Sequence, residues 1–479
     1  MRSDARRWNF RESSAAMRSA LSIASRRRVE ASPGFPIGVH AMMRGAITEN
    51  RLVAALLSHR FFRLQSFLLT LILIVAAWVR FYRLGRPDAL VFDELYYVDG
   101  AKDLLQHGVE VTGADPEFIV HPSIGKWVIA AGIAIFGDDS FGWRVAGAAL
   151  GVGSVLLIYL IAKKFFGTSE STSGLDLIPL LAAALMQSMD CDRHVADSAP
   201  GWNALILYLA SFLSLLHERL LLAGIALGLA TGTKWSAIYF LVALSLFVLI
   251  STIRNKQWQK LRTLVALNLL ALLTYILSWI GWLISDRGWT RNSSENPLIA
   301  LWNFHREIFG FHSNLDAEHN YRSHPWSWLV MGRPTSFFYE SPSSCGSEQC
   351  SQEVLALGNP LLWWFATIAV AALVGYWLHR RDRISSLILA SFLAGYLPWF
   401  FFPDRTMFTF YAIVILPFLI LAICYLANEL LLQQKGARVI IALGFAVVFA
   451  VFLYFLPINI ASIITFEQWQ ARMWLESWI

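Results

Sequence analysis

Charge is scarce in this chain of 479 residues: Asp, Glu, Lys and Arg together make up 15%, against about 25% in ordinary soluble domains. Apolar residues reach 56% and include 20 Trp and 33 Phe, an excess that a water-facing surface cannot hide. Together these figures exclude a disordered chain and almost any soluble enzyme, and leave an integral membrane protein. Cysteine is sparse too, at four residues, which excludes a disulfide scaffold. The sequence has no Walker loop, GxGxxG fingerprint or nucleophile elbow, so no built-in nucleotide cradle or hydrolase nucleophile is expected.

The formal net charge of +6 does not point to nucleic acid. Met1–Arg63 holds 12 Arg against four acidic residues, and everything after it sums to −2. The basicity belongs to a polar tail, 1–63, expected to be cytoplasmic. Met42 or Met43 would make a more typical membrane-protein beginning, so part of the tail can equally be an over-extended start. Sixty polar residues before the first apolar run do not resemble a cleavable signal peptide.

About 20 apolar residues cross a bilayer as a helix, because no backbone polar group can stay unpaired in lipid. Eleven spans are expected, near Gln65–Val79, Trp143–Ile161, Leu175–Gln187, Ala204–Leu216, Leu220–Thr233, Ala237–Thr252, Thr263–Ile284, Leu361–Leu378, Ile384–Phe401, Met407–Leu431 and Val439–Ile464. Positive charge collects on the cytoplasmic side. With the tail inside, alternate connections are basic or neutral: Lys163-Lys164, His217–Arg219, Arg254–Arg262, His379–Arg383 and Lys435–Arg438. The opposite parity holds two long loops, Leu84–Phe141 and Ser285–Pro360, and Arg86–Glu117 in the first carries eight acidic residues. This predicts the N-terminus inside, the C-terminus outside and both loops external.

Ionisable residues against membrane segments are functional candidates, since burying them is expensive. By this parity Asp93, Glu94, His121, Lys126, Arg144, Lys234 and Arg405 all lie on or near the external face. Asp93-Glu94 sits among apolar and aromatic neighbours, where a carboxylate has its pKa raised and can act as a general base; the plainer alternative is a solvated acidic loop. The cations fit phosphate oxygens, or individually are snorkelling interfacial residues. Their external placement runs against the positive-inside bias, which favours the phosphate reading for the group. An activated donor is then best supplied as a membrane-dissolved phospholipid. Lys126–Phe136 is too short to span and reads as an interfacial helix.

The second loop repeats aromatics with histidines: Trp302-Asn-Phe304-His305, Phe309-Gly-Phe311-His312, His319-Asn-Tyr321 and His324-Pro-Trp326-Ser-Trp328. It reads either as an aromatic belt or as a platform for sugar or acceptor peptide. Its histidines lack metal-ligand spacing, so no metal is expected. Cys345 and Cys350, five positions apart, are expected to close a local disulfide rather than bind zinc, and Cys424 is read as a small buried apolar residue.

Asp93-Glu94, His121-Pro-x-x-Gly-Lys126, Phe141-Gly-Trp-Arg144, Thr233-Lys234-Trp235-Ser236, Pro325-Trp-Ser-Trp328 and Phe402-Pro-Asp-Arg405-Thr-Met-Phe-x-Phe-Tyr411 together resemble the protein O-mannosyltransferases, in a bacterial form of actinobacterial type. The closing Met473-Trp-Leu-Glu-Ser-Trp-Ile479 looks like that branch, and the resemblance covers about Arg63 to Ile479. It implies an all-α polytopic GT-C glycosyltransferase over residues 64–479 and a site outside the cell membrane. The implied reaction is inverting transfer of mannose from polyprenyl-phosphate-mannose to Ser or Thr of exported proteins. Asp93 resembles the catalytic base and Glu94 its companion; Arg144, Lys234, Arg405 and Lys126 match cations for the donor phosphate. His121, Trp235 and Tyr411 are placed near substrate. The implied partners are the lipid donor, acceptor proteins, membrane lipids and the secretion translocon, with no cofactor. Ser285–Pro360 is too short for the β-trefoil insertion of eukaryotic members.

One stretch departs from the family. Where a Leu-Leu-Asp segment should enter the fourth span, the chain reads Met189-Asp-Cys-Asp-Arg-His-Val-Ala-Asp-Ser-Ala-Pro-Gly-Trp-Asn203. A local frameshift is one account: a permitted codon choice for Arg193–Asn203, read one base later, gives Val-Met-Leu-Gln-Thr-Arg-Leu-Leu-Asp-Gly. Taken as written, the segment lacks an active-site arginine and aspartate. Resequencing the DNA decides between the two. The competing readings are another lipid-phosphate-sugar transferase acting on a lipid or cell-wall glycan, a multi-span transporter, and an inactive scaffold. A transporter should show midplane charges and duplicated halves, and neither is evident.

Overall fold

A computed structural model describes residues 63–167, 176–188 and 198–479. All the described residues belong to one compact unit. The expected tail 1–63, apart from Arg63, lies outside the described residues, as do Cys191 and positions 189–197 of the departing stretch.

Long apolar runs with few helix breakers fold as helices that end where the sequence supplies caps or charge. These are α1 (Arg63–Phe81), α2 (Glu94–His107), α3 (Ile124–Phe136), α4 (Ser140–Phe166), α5 (Leu177–Gln187), α6 (Ser198–Leu216), α7 (Leu220–Thr231), α8 (Ala237–Arg254), α9 (Gln259–Ser278), α10 (Pro297–Ser313), α11 (Pro360–Arg380), α12 (Arg383–Tyr396), α13 (Leu416–Gln433) and α14 (Ala437–Asn459). Asp139 caps α4 by accepting from the Phe141 and Gly142 amides at 3.0 and 2.8 Å, and Lys163 and Lys164 sit against the negative end of the same helix. Asn359 and Asp382 cap α11 and α12 in the same way.

Among the described residues, eight helices are long and apolar enough to cross a membrane, three fewer than expected. The differences are α5, the apolar part of α6 (Asn203–Leu216) and α7. With 11 and 12 residues, α5 and α7 reach only about 16–18 Å at 1.5 Å per residue, against a hydrocarbon core of about 30 Å. They pack inside the bundle, α5 on α4 and α13, α7 on α6 and α9. Gly224 and Gly228 make that last contact close: a Cβ on either would stand 2.5 Å from the Leu267 or Ala271 carbonyl of α9, the small-residue approach typical of membrane helices. Two expected spans also break. Thr263–Ile284 divides at Trp279 into α9 and a five-residue turn, Ile280–Ile284. Met407–Leu431 begins as a 3-10 turn, Thr409–Ile415, before Pro417 in the first turn of α13, where its missing N–H costs nothing.

The main core joins α4 to α8 with α11 to α13. The two long loops meet at one end of this bundle. There β1 (Ser336–Glu340) and β2 (Cys350–Leu355) form an antiparallel hairpin closed by the Cys345–Cys350 disulfide, and Ile464–Thr465 pairs on the far side of β2. Helix α10 buries Ala300, Leu301, Phe304 and Ile308 and turns Leu298, Ile299, Trp302 and Phe309 outward. Helix α3, expected from Lys126, starts at Ile124 and packs on α2 and α4. The basic turns at Lys163-Lys164, Arg254–Arg262 and Arg380–Arg383 lie at the helix ends opposite those that carry the loops.

Asn203 is 1% exposed on α6, and neither side-chain amide atom has a hydrogen-bond partner among the described residues. An unsatisfied buried amide costs about 1–3 kcal/mol. Asn203→Ala is therefore expected to raise thermal stability in detergent; an unchanged or lower melting temperature would show that the site does accommodate the amide.

Candidate active site

The site grows from the turn that enters α2. Phe92 has φ +50°, a left-handed conformation that is costly for a side chain of that size, and it is held there by rings. Phe337, Phe408 and Phe410 meet it edge-on at 5.2, 5.6 and 5.9 Å, and His319 at 5.7 Å. Asp93 follows, its carbonyl accepting from the Tyr96 and Tyr97 amides. Burial raises the Asp93 carboxyl to about 6, against the opposing pull of Lys234.

Glu94 points the other way, into the bundle. Its two oxygens take Arg144 Nε and a terminal nitrogen of the same guanidinium, each at 2.7 Å, and it also accepts the Val91 amide at 3.0 Å. The remaining Arg144 donors reach the carbonyls of Leu84, Pro87 and Ala89 at 3.2, 2.9 and 2.8 Å. All five N–H groups of Arg144 are thus committed to protein. The side chains of Arg144 and Glu94 are 1% and 0% exposed, so the pair is a buried clamp on the 84–94 segment. It does not leave Arg144 a spare donor for a phosphate.

Lys126 is likewise engaged, by an ion pair with Glu110 in which both side chains are buried. Burial raises the Glu110 carboxyl despite the opposing Lys126 charge, and Asp103 and Glu117 add to the negative surroundings of that pair.

Lys234 lies in the turn between α7 and α8. That turn is fixed from outside: the Ile124 amide donates to the Gly232 carbonyl at 2.9 Å, and Ser123 Oγ to the Ser278 carbonyl at 2.7 Å. A Cβ at Gly232 would fall 2.8 Å from Ser278 Oγ, so a larger residue there would have to displace the Ser278 side chain. The Lys234 ammonium stands 4.5 Å from the centre of the Tyr411 ring, a cation–π contact. Burial, reinforced by Arg405 and opposed by Asp93, lowers its pKa to about 8.

Arg405 lies over the rings of Trp399 and Tyr411, at 5.7 and 6.0 Å. One terminal nitrogen donates to His312 at 3.2 Å, while the buried Nε has no hydrogen-bond partner among the described residues. His121 stacks on Tyr97 at 5.4 Å and meets His312 at 5.4 Å. Burial, then the charges of its neighbours, holds its pKa well below the usual histidine range, so it is neutral. Trp235 stacks on His305 at 5.5 Å and starts a directed chain: its Nε1 donates to Tyr275 Oη at 2.8 Å, Tyr275 Oη to His305 Nε2 at 2.6 Å, and His305 Nδ1 to the Leu301 carbonyl at 2.7 Å.

The fold therefore brings Asp93, Lys234, Arg405, Tyr411 and His121 together, with Trp235 beside them through His312 at 6.1 Å. It directs Glu94, Arg144 and Lys126 into buried pairs. Cys345 and Cys350 bond at the hairpin, away from these groups. Sequence reasoning missed three contributors. His312 and His305 stand in motifs read as an aromatic belt or a platform for sugar or acceptor peptide, without a role for either ring, although their seven-residue spacing on a helix is a signal that both face one side. Tyr275 lay within an expected span and looked like one more apolar residue. Among the described residues no group of three or more His, Cys, Asp or Glu could hold a metal.

Two family models match adjacent parts of the chain. Residues 120–282 match the dolichyl-phosphate-mannose-protein mannosyltransferase model, and 298–478 the C-terminal four-transmembrane region of protein O-mannosyltransferase. The polyprenol-phosphate-mannose–protein mannosyltransferase of Mycobacterium tuberculosis is 29% identical, over 87% of this chain and 92% of its own length. The Corynebacterium glutamicum protein of the same name is 27% identical, over 87% and 94%. In structure, a chain of the Saccharomyces cerevisiae protein O-mannosyltransferase complex bound to the sugar donor superposes with a TM-score of 0.70 at 14% identity, covering 87% of this chain and 92% of that one. The likeness shows the GT-C fold. With both family models placed end to end on a multi-pass membrane bundle, the chain belongs to the protein O-mannosyltransferase family.

Proposed function

We propose that the protein transfers mannose from polyprenyl-phosphate-mannose to Ser and Thr hydroxyls of exported proteins, with inversion, at the external face of the cell membrane. The observation that carries this reading is a partly buried carboxylate, Asp93, raised to about 6 and facing the charge of Lys234, which itself stands in the field of Arg405. Asp93 takes the proton from the acceptor hydroxyl as its oxygen attacks the anomeric carbon. The bond from that carbon to the phosphate oxygen breaks, and its electron pair leaves with the polyprenyl phosphate. Lys234 and the uncommitted Nε–H of Arg405 stabilise the charge that develops there. Tyr411 supports both cations through its ring.

Arg144 and Glu94 take a different part from the one their motif implied. With every guanidinium donor spent on protein, they hold the 84–94 segment so that Asp93 faces the cations. Lys126, neutralised by Glu110, stands behind the site. The external placement is supported by the basic turns at the opposite ends of the helices. The domain reading remains a tail, 1–63, before a catalytic membrane unit, 64–479.

The base must be ionised and the lysine protonated, which sets the sign of each limb of the pH profile. Activity is expected to rise with pH through about 6, as Asp93 loses its proton, and to fall through about 8, as Lys234 loses its own. Purified protein in lipid, given a Ser/Thr-rich peptide, is expected to show this bell with polyprenyl-phosphate-mannose and no transfer from a soluble sugar nucleotide. Equal use of the nucleotide donor would reject the lipid-phosphate reading, and a flat profile would reject the paired Asp93–Lys234 roles.

A further inference from the structure

His312 joins three separate chain segments at the cation site. In the last turn of α10, its Nε2 lies 2.7 Å from the Val120 carbonyl, on the loop that leads into α3, and its Nδ1 lies 3.2 Å from a terminal nitrogen of Arg405. A carbonyl only accepts and a guanidinium only donates. The ring must therefore carry its one proton on Nε2 and present a lone pair at Nδ1. Charging it would set a third cation against Arg405 and Lys234. Burial, with those two charges behind it, pushes its pKa down to about 4. Trp399 and Tyr411 lie under the Arg405 guanidinium, which fixes the plane of the group but not its rotation within that plane. The Nδ1 acceptor fixes the rotation, and it leaves Nε without a partner among the described residues.

We propose that His312 is a positioning residue of the donor-phosphate site: its neutral Nδ1 aims the Arg405 guanidinium at the leaving phosphate while its Nε2–H ties the same unit to the loop before His121. The inference rests on Arg405 being a phosphate ligand. His312 acts through Arg405 and takes no proton in the reaction.

A double-mutant cycle tests this, with polyprenyl-phosphate-mannose as donor and polyprenyl phosphate as inhibitor. His312→Phe keeps a ring and removes both nitrogens. It is expected to raise the donor KM and weaken inhibition by polyprenyl phosphate about ten- to hundredfold, the range for one hydrogen bond to a charged group. The acceptor-peptide KM should stay as it was. His312→Asn, whose amide oxygen falls near the Nδ1 place, should recover most of the donor affinity, which a merely space-filling role would not produce. In an Arg405→Ala background, His312→Phe should add nothing. Additive losses, equal changes in both KM values, or no difference between the Phe and Asn variants would overturn the proposal. Unaltered donor KM and inhibition in Arg405→Ala alone would overturn the phosphate role of Arg405 as well, and so tell the two failures apart.

Discussion

Asp93→Asn is expected to lower mannose transfer about 10²–10⁴-fold, the usual contribution of a positioned general base, while the protein folds and stays in the membrane. The substitution keeps the size and shape of the side chain and removes only the basic oxygen. Position 93 suits this test because the chain on either side of it is held by other side chains. The Phe92 ring cage lies on one side and the Glu94–Arg144 clamp on the other. Neither depends on a charge at Asp93, so the loss should appear in the chemical step, with donor binding little changed. Single-turnover transfer measured beside donor binding separates the two. Loss of binding with an unchanged chemical step would reassign Asp93 from base to ligand.

Glu94→Gln is expected to destabilise the folded protein by about 3–5 kcal/mol, the cost of leaving one member of a buried ion pair without its partner. The expectation follows from the burial of both side chains and from the number of bonds at stake. Arg144 would keep its three carbonyl contacts, at Leu84, Pro87 and Ala89, but its positive charge would have no carboxylate. Removing both charges, as Glu94→Gln with Arg144→Met, should recover part of the stability, because no uncompensated charge is then left in the interior. Activity should not return with it, since the 84–94 segment that presents Asp93 has lost its anchor. Melting temperatures of the three variants in one detergent provide the measurement. A single variant as stable as the parent would show that the pair is not the clamp described.

Much of the site could be read from the sequence because its residues sit in short motifs beside apolar runs. Asp93, His121, Lys234 and Arg405 each stand just outside a helix, where a polar residue is conspicuous, and the parity of basic turns placed them at one end. What was not legible was partnership. Nothing in the spacing of Glu94 and Arg144, 50 positions apart, tells a phosphate-binding guanidinium from one saturated by a carboxylate and three carbonyls, and the same holds for Lys126 and Glu110. Composition counts apolar residues without measuring where a helix stops, so α5 and α7 counted as spans although each is too short to cross alone. His312 was hidden by its aromatic neighbours: its role depends on Val120 and Arg405, which come from two other segments. At the end of the stretch 189–203, expected to depart from the family, Asn203 carries an amide with no partner among the described residues, a group that a natural core seldom keeps.

The measurement that bears most directly on the account is transfer of isotope-labelled mannose from polyprenyl-phosphate-mannose to a Ser/Thr-rich peptide by the purified protein, with the anomeric configuration of the product read by NMR. It is best run on the chain as written and on one carrying Val-Met-Leu-Gln-Thr-Arg-Leu-Leu-Asp-Gly in place of residues 193–202. The account predicts label on hydroxyl side chains, in the configuration opposite to that of the donor. Retention of configuration, or no transfer by either chain, would contradict it.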